Sequence, residues 1–207
     1  MKNTGLYDKL NSMNDKEYIE NFLLFNISQV LSGIKPASTI SFMKSKDNIY
    51  DKWLKYGADF INSIGLKFIE LREKVNLLVL LIYNEEILSE SIFGKEQKKF
   101  LLGIGYEDEE DVNKYINKLK ERYELYHCPH ELGLFLGIPI KDVKDFMNCT
   151  SKKCLLCGYW KVYNDSSAAR LIFNKYDEIK VHTLKGILKG YNSQSLALSI
   201  KNFFCTP

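Results

Sequence analysis

LKFIELREKVNLLVLLIY, residues 66–83, places two β-strand candidates back to back. Leu66 to Leu71 and Val75 to Tyr83 are rich in β-branched and aromatic side chains, and the polar Arg72 to Lys74 between them is short enough for a hairpin turn. The second strand is apolar on both faces, which predicts a central position in its sheet.

Toward the N-terminus, Thr39 and Ser41 alternate with Ile40 and Phe42, predicting a short strand over Ser38 to Met43. Between that strand and the hairpin, Ile49, Trp53, Leu54, Tyr56, Phe60, Ile61 and Ile64 fit one broad stripe of a helix over Asn48 to Ile64, closed by Gly65. Apolar residues at near-helical spacing predict a further helix over Asp15 to Leu31 that Gly33 stops. Ile34, Lys35 and Pro36 then form a turn, because the residue before a proline is pushed out of the helical region.

Toward the C-terminus, short helices are expected over Glu85 to Phe93 and Lys95 to Leu102, and a longer one over Glu107 to Tyr126. In the longer helix Asp108 to Asp111 sit at the start and Lys118, Lys120 and Arg122 toward the end, as the helix dipole favours. Pro129 suits the first turn of the next helix, with Glu131 near its positive end. Gly133 and Gly137 share one side of it. Glycine there costs about 1 kcal/mol relative to alanine, so something should approach that face closely. Pro139 stops this helix, and Asp142, Val143, Phe146 and Met147 start another. Tyr159 to Tyr163 alternates like a strand, with Tyr159, Lys161 and Tyr163 on one face and Trp160 and Val162 on the other. Asp165 caps a helix buried through Ala169, Ile172, Phe173 and Tyr176, and Ser193 to Phe203 makes the last one.

The middle of this order is β-α-β-β-α-β. It predicts an α+β fold: an antiparallel sheet of about four strands in ferredoxin-like order, with a helical N-terminal arm and a helical C-terminal addition. With 207 residues, 45% of them hydrophobic, and no Pro/Gly/Ser-rich linker, residues 1–207 are expected to form a single domain. Such an architecture names no function.

Twenty-nine basic residues against 26 acidic ones, interspersed along the helices, give a net charge of +3 and no nucleic-acid signature. The N-terminal residues lack the apolar core of a secretory signal, and the longest apolar run, Leu77 to Tyr83, is far shorter than the roughly 20 residues a membrane helix needs. A cytoplasmic protein is the expectation. Its five cysteines have no framework spacing, so they are expected as thiols without a structural disulfide.

Chemistry concentrates between Cys128 and Tyr163. His130 beside Glu131 has the elements of an acid/base pair, although a helix-start histidine satisfying a neighbouring carbonyl explains it equally. Lys35 and Lys161 can bind a phosphate or carboxylate as point charges, or lie solvated at a turn and a strand end. Cys154 and Cys157 have CxxC spacing, that of a redox dithiol or half a zinc site, with Cys128 as a further ligand between His127 and His130. The two leucines inside the CxxC argue instead for burial as small hydrophobes. Tyr159, Trp160 and Tyr163 can stack on a flat ligand, while sheet packing accounts for Trp160 more cheaply. The chain has no GxGxxG, phosphate-binding Walker loop, HExxH or nucleophile elbow.

Pro129-His130-Glu131-Leu132-Gly133-Leu134-Phe135-Leu136-Gly137 with Pro139, Asp142-Val143 and Phe146 resembles the signature of an uncharacterised bacterial family, domain of unknown function 3793. So do Gly158-Tyr159-Trp160-Lys161-Val162-Tyr163, with Asp165, Ala169, Phe173 and Tyr176 behind it, and Gly33-Ile34-Lys35-Pro36-Ala37. The resemblance implies a family found mainly in anaerobic bacteria and without an established activity. Phe25 and Asn26 stand where that family usually carries His-Cys, and Ile179 where it carries a cysteine.

The leading expectation is a small-ligand binding protein whose pocket is formed by the His130 helix, the Lys35 turn and the Gly158 to Tyr163 strand. Its contacts would be Lys35, His130, Glu131, Tyr159, Trp160, Lys161 and Tyr163, its ligand anionic or aromatic. The alternatives are a thiol-redox or metal protein using Cys154, Cys157 and Cys128, and a protein-interaction module. The residues name no cofactor, no catalysed reaction and no oligomeric state.

Overall fold

Strands β1 (Ala37–Met43), β2 (Lys67–Lys74) and β3 (Leu77–Tyr83) form an antiparallel sheet in the order β1-β3-β2. The computed structural model describes residues 4–44, 48–148 and 151–204. β3 is the middle strand, and six of its seven residues are buried. Lys74 pairs with Leu77, so Val75 and Asn76 make the turn, and Val75 is 89% exposed. Arg72 to Lys74, expected as the turn, instead continue β2. That strand lies at the sheet edge, where charged side chains reach water and discourage pairing with another chain; Glu73 there pairs with Lys44 at 2.7 Å. Pairing slips between Glu70 and Arg72, leaving Leu71 as the extra residue of a bulge, with its side chain fully buried.

The chain divides into two units, residues 1–84 with 176–207, and residues 85–175. In the first, helices α1 (Thr4–Asn11) and α2 (Asp15–Leu31) precede the sheet, and α3 (Ile49–Lys52), a π-helical turn (Trp53–Gly57) and α4 (Ala58–Ser63) connect β1 to β2. Asn14 caps α2 by accepting from the Glu17 N–H at 3.0 Å. The core joins Ile19, Leu23, Leu24 and Ile27 of α2 to Leu78, Leu80 and Ile82 of β3. A Cβ on Gly57 would lie 2.1 Å from the Trp53 ring, so the glycine leaves room for that indole. Trp53 then stacks on Phe42 and meets Phe68 edge-on, with ring centres 5.6 and 5.1 Å apart.

The second unit holds α5 (Glu85–Ile92), α6 (Lys95–Gly103), α7 (Val112–Tyr126), α8 (Leu132–Phe135) and α9 (Ile140–Met147). Two further strands, β4 (Leu156–Cys157) and β5 (Lys161–Val162), form a hairpin. Helix α10 (Ser166–Leu188) begins in this unit, its residues from Tyr176 onward belong to the first, and α11 (Ser193–Lys201) follows. Asp165 caps α10 as expected, accepting from the N–H groups of Ser167 and Ala168. The acids expected to open α7 lie mostly before it; only Asp111 acts at its start, accepting from Asn113 N–H at 2.8 Å.

The mixed helix-and-sheet class matches the expectation. The strand count does not: the main sheet has three strands, not four, and the complete ferredoxin-like order is not formed by the described residues. β3 lies between β1 and β2 and runs antiparallel to both, a split β-α-β arrangement. The expected fourth strand, Tyr159 to Tyr163, instead pairs with Leu156 and Cys157 in the second unit. Its ladder stops after Val162 because the next two backbone N–H groups are bound by a carboxylate, that of Asp142. Among the described residues, no helix is long and apolar enough to cross a membrane.

Candidate functional site

Asp142 is the organising side chain of the second unit. It sits in the first turn of α9, after Pro139 has ended the preceding loop, and is buried. One carboxylate oxygen accepts from the N–H groups of Tyr163 and Asn164, at 3.0 and 3.1 Å, and from the Asn164 side-chain amide at 2.8 Å. The other accepts from the Trp160 indole N–H at 2.9 Å. A buried carboxylate is tolerated only when its lone pairs are filled, and here four donors fill them. The result fixes the β4-β5 hairpin against α9.

Trp160 and Val162 are buried, while Tyr159 and Lys161 point outward, the alternation expected of the segment. The edge of the Trp160 ring meets Phe173 with centres 4.6 Å apart. A Cβ on Gly158 would fall 2.3 Å from the Phe173 ring, so only glycine at 158 lets that ring pack where it does.

Gly133 and Gly137 have different roles. A Cβ on Gly133 would meet Val143 of α9 at 3.0 Å, the close approach expected on that face. Gly137 has φ +79° and ends α8: its N–H donates to Leu134 and the following Ile138 N–H to Gly133, the paired bonds of a left-handed helix stop. Helix α8 therefore spans only Leu132–Phe135, and Pro129 to Glu131 lie in turns before it.

Between α8, α9 and the hairpin lies a groove of about 280 Å³. Its walls are mainly apolar, from Leu132, Leu136, Ile138, Val143, Phe146 and Trp160, and Cys128, His130, Tyr159 and Lys161 also line it. The exposed Phe146 ring has two polar groups near it: His130 meets it edge-on at 5.1 Å, and the Lys161 ammonium stands 5.9 Å from its centre. Asp142 lines the groove too, but its carboxylate is committed to the hairpin. Tyr163 is half-buried and is not among the lining residues.

Glu131 faces elsewhere. Its carboxylate pairs with the Arg122 guanidinium and lies 3.5 Å from the Tyr106 hydroxyl, which can donate to it; it is 1% exposed. Arg122 also donates to the Ile104 carbonyl at 3.1 Å. Burial, and then the Glu131 charge, push the Tyr106 phenol far above its ordinary pKa, so it stays protonated as a donor. Glu131, Arg122 and Tyr126 line an adjoining hollow that shares Cys128, Pro129 and His130 with the groove.

Lys35 belongs to the first unit, where its ammonium lies 5.9 Å from the centre of the Tyr176 ring. Cys128, Cys154 and Cys157 are free and exposed, against the burial that the CxxC leucines suggested; Leu155 is itself 51% exposed. Among the described residues, no three His, Cys, Asp or Glu side chains gather where they can hold a metal ion. Cys149 and Cys205 lie outside the described residues.

The family model described as "Protein of unknown function (DUF3793)" matches residues 23–197, most of the chain and every residue of the groove. The chain belongs to this family. No curated protein matches it, and no solved structure does. In this DUF3793 chain the Pro129 to Phe146 and Gly158 to Tyr163 motifs form two walls of one groove. Sequence reasoning assigned neither Asp142 nor Phe146 to the site. The available signal was an indole N–H at Trp160 that needs an acceptor when buried, and an acid placed in a helix first turn nearby.

Proposed function

We propose that the groove binds a small aromatic or apolar molecule carrying one anionic group. The observation that carries this reading is the composition of its rim and walls: a largely apolar hollow with an imidazole and an ammonium flanking one exposed phenyl ring. At about 280 Å³ it falls just below the usual size of ligand pockets, roughly 300–1,000 Å³, so a single-ring molecule suits it. The ring lies against Trp160 and Phe146, and the anion reaches Lys161 and His130. Tyr159, 39% exposed, closes one side.

Tryptophan fluorescence tests this on the full chain, since Trp160 lines the groove and the other tryptophan, Trp53, belongs to the core of the first unit. Phenylacetate and other aryl carboxylates are expected to change the emission saturably. Lys161→Gln is expected to weaken the carboxylates about tenfold, the equivalent of roughly 1.4 kcal/mol, and to leave the matching uncharged amides unaffected. Equal weakening of both, or no saturable change, would contradict the reading.

A second reading is supported by the exposure of both CxxC thiols, Cys157 in β4 and Cys154 two residues before that strand. Accessible thiols at this spacing suit a reversible dithiol or a site completed by outside ligands. Thiol titration and metal analysis of protein purified without oxygen separate the readings: two unreactive thiols and no metal remove the second.

A further inference from the structure

The two arms of the β4-β5 hairpin are held differently. Asp142 fixes the β5 arm, through the Trp160 indole N–H and the backbone N–H groups of Tyr163 and Asn164. The β4 arm is held through the hairpin itself. Leu156 pairs with Val162 and Cys157 with Lys161, the Leu155 N–H donates to the Val162 carbonyl at 2.8 Å, and the Gly158 N–H donates to that of Trp160 at 3.2 Å. Cys157 and Lys161 are therefore direct cross-strand partners, one bearing an exposed thiol and the other lining the groove.

The second thiol of the CxxC lies close by. Cys154 is free and exposed, and its thiol curls back to donate to the Leu156 carbonyl at 3.2 Å, beside the peptide bond that joins Leu156 to Cys157. A disulfide holds its two Cα atoms about 4.4–6.8 Å apart, whereas three residues of extended strand span roughly 10 Å. A bond between Cys154 and Cys157 therefore draws Leu155 to Cys157 away from the extended form that pairing with β5 requires. Lys161 then loses its cross-strand partner, while Trp160 keeps its bond to Asp142.

We infer that Cys154 and Cys157 form a thiol–disulfide switch that controls anion binding in the groove. Such a switch presupposes the ligand groove and joins it to the exposed thiol pair. Its oxidant is a low-molecular-weight disulfide. The Cys154 thiolate attacks one sulfur of that disulfide and expels one thiol, and the Cys157 thiolate then attacks the Cys154 sulfur and expels the second. The two S–H protons end on the two released thiols, and the two electrons lost by the pair reduce the oxidant. In the reduced chain Lys161 stands where a carboxylate reaches it; in the disulfide form it is displaced, and the apolar wall at Trp160 remains.

The test uses the full chain, first reduced and then treated with oxidised glutathione. Peptide mass spectrometry is expected to find Cys154 joined to Cys157, without bound glutathione on either. Tryptophan emission titrations then compare phenylacetate with phenylacetamide. The disulfide form is expected to bind phenylacetate several-fold more weakly and the amide equally well, and dithiothreitol to restore the carboxylate affinity. A chain carrying both Cys154→Ser and Cys157→Ser, given the same oxidant, is expected to keep the affinity of the reduced protein, which separates the switch from any adduct on Cys128 in the groove. A bond that forms without changing phenylacetate affinity, glutathione adducts that persist in place of the bond, or a loss that survives in the double variant would overturn the switch alone. No saturable phenylacetate response in the reduced chain would overturn the groove reading, and the switch with it.

Discussion

Asp142→Ala is expected to destabilise the second unit by about 3–5 kcal/mol, because a buried carboxylate that fills four donors is removed and three of them, the indole N–H and two backbone N–H groups, lose the acceptor they have, while the Asn164 amide keeps Asp145. Two of the donors are backbone N–H groups of Tyr163 and Asn164, and neither can turn elsewhere. Asp142→Asn separates shape from charge. It keeps the outline but turns one acceptor into an amide donor facing either the indole N–H or the backbone N–H pair, and about half the loss is expected. Denaturant unfolding followed by Trp160 emission measures both. Wild-type stability in either variant would mean that the hairpin is held by packing alone. The groove is expected to fail with the hairpin, since Trp160 and Lys161 enter it from there.

The second large effect belongs to the pair behind the groove. Glu131→Ala removes the buried partner of the pair and leaves the half-buried Arg122 guanidinium without its counter-charge, and a loss of about 3 kcal/mol is expected. Arg122→Met alone strands the carboxylate and should cost a similar amount. The double replacement Arg122→Met with Glu131→Leu is expected to recover most of the loss, because each single change is costly through the charge it orphans. Additive losses in the double-mutant cycle would show that the two side chains act independently. Glu131, expected from its place in the Pro129 to Gly137 motif to meet a ligand, is therefore explained by its ion pair with Arg122, and no groove contact is required of it.

Local pattern carried much of the fold. β3 was legible as a central strand because seven consecutive apolar residues leave no solvent face. The helix ends at Gly33 and Gly65 were legible because those glycines take positive φ, at +78° and +74°. The turn at Val75 and Asn76 was misplaced because an edge strand accepts the charges of Arg72 to Lys74 that usually mark a loop. The fate of the Tyr159 to Tyr163 segment was out of reach of any local pattern. It alternates as a strand does, but its register ends where Asp142, about twenty positions earlier, takes its backbone donors.

The site divides in the same way. His130, Tyr159, Trp160 and Lys161 were visible as polar and aromatic groups that core packing does not require, and all four line the groove. Phe146 was visible only as an apolar helix position; its role depends on His130 and Lys161 arriving near its ring. Lys35 was visible only as a turn lysine; the ring its ammonium lies 5.9 Å from, Tyr176, comes from α10, which no local pattern places there. The Glu131 to Arg122 pair joins two segments nine positions apart through the turn at His127, where φ is +66°, and nothing in the charge pattern announces that turn.

The most direct test of the groove is a two-dimensional amide and indole spectrum of the full chain titrated with phenylacetate. The Trp160 indole signal and the backbone signals of His130, Phe146, Tyr159 and Lys161 are expected to move together with those of the other groove-lining residues along one saturation curve, and the signals of residues outside the groove to stay still. Signals that move elsewhere, or a spectrum unchanged at millimolar phenylacetate, would contradict the groove reading.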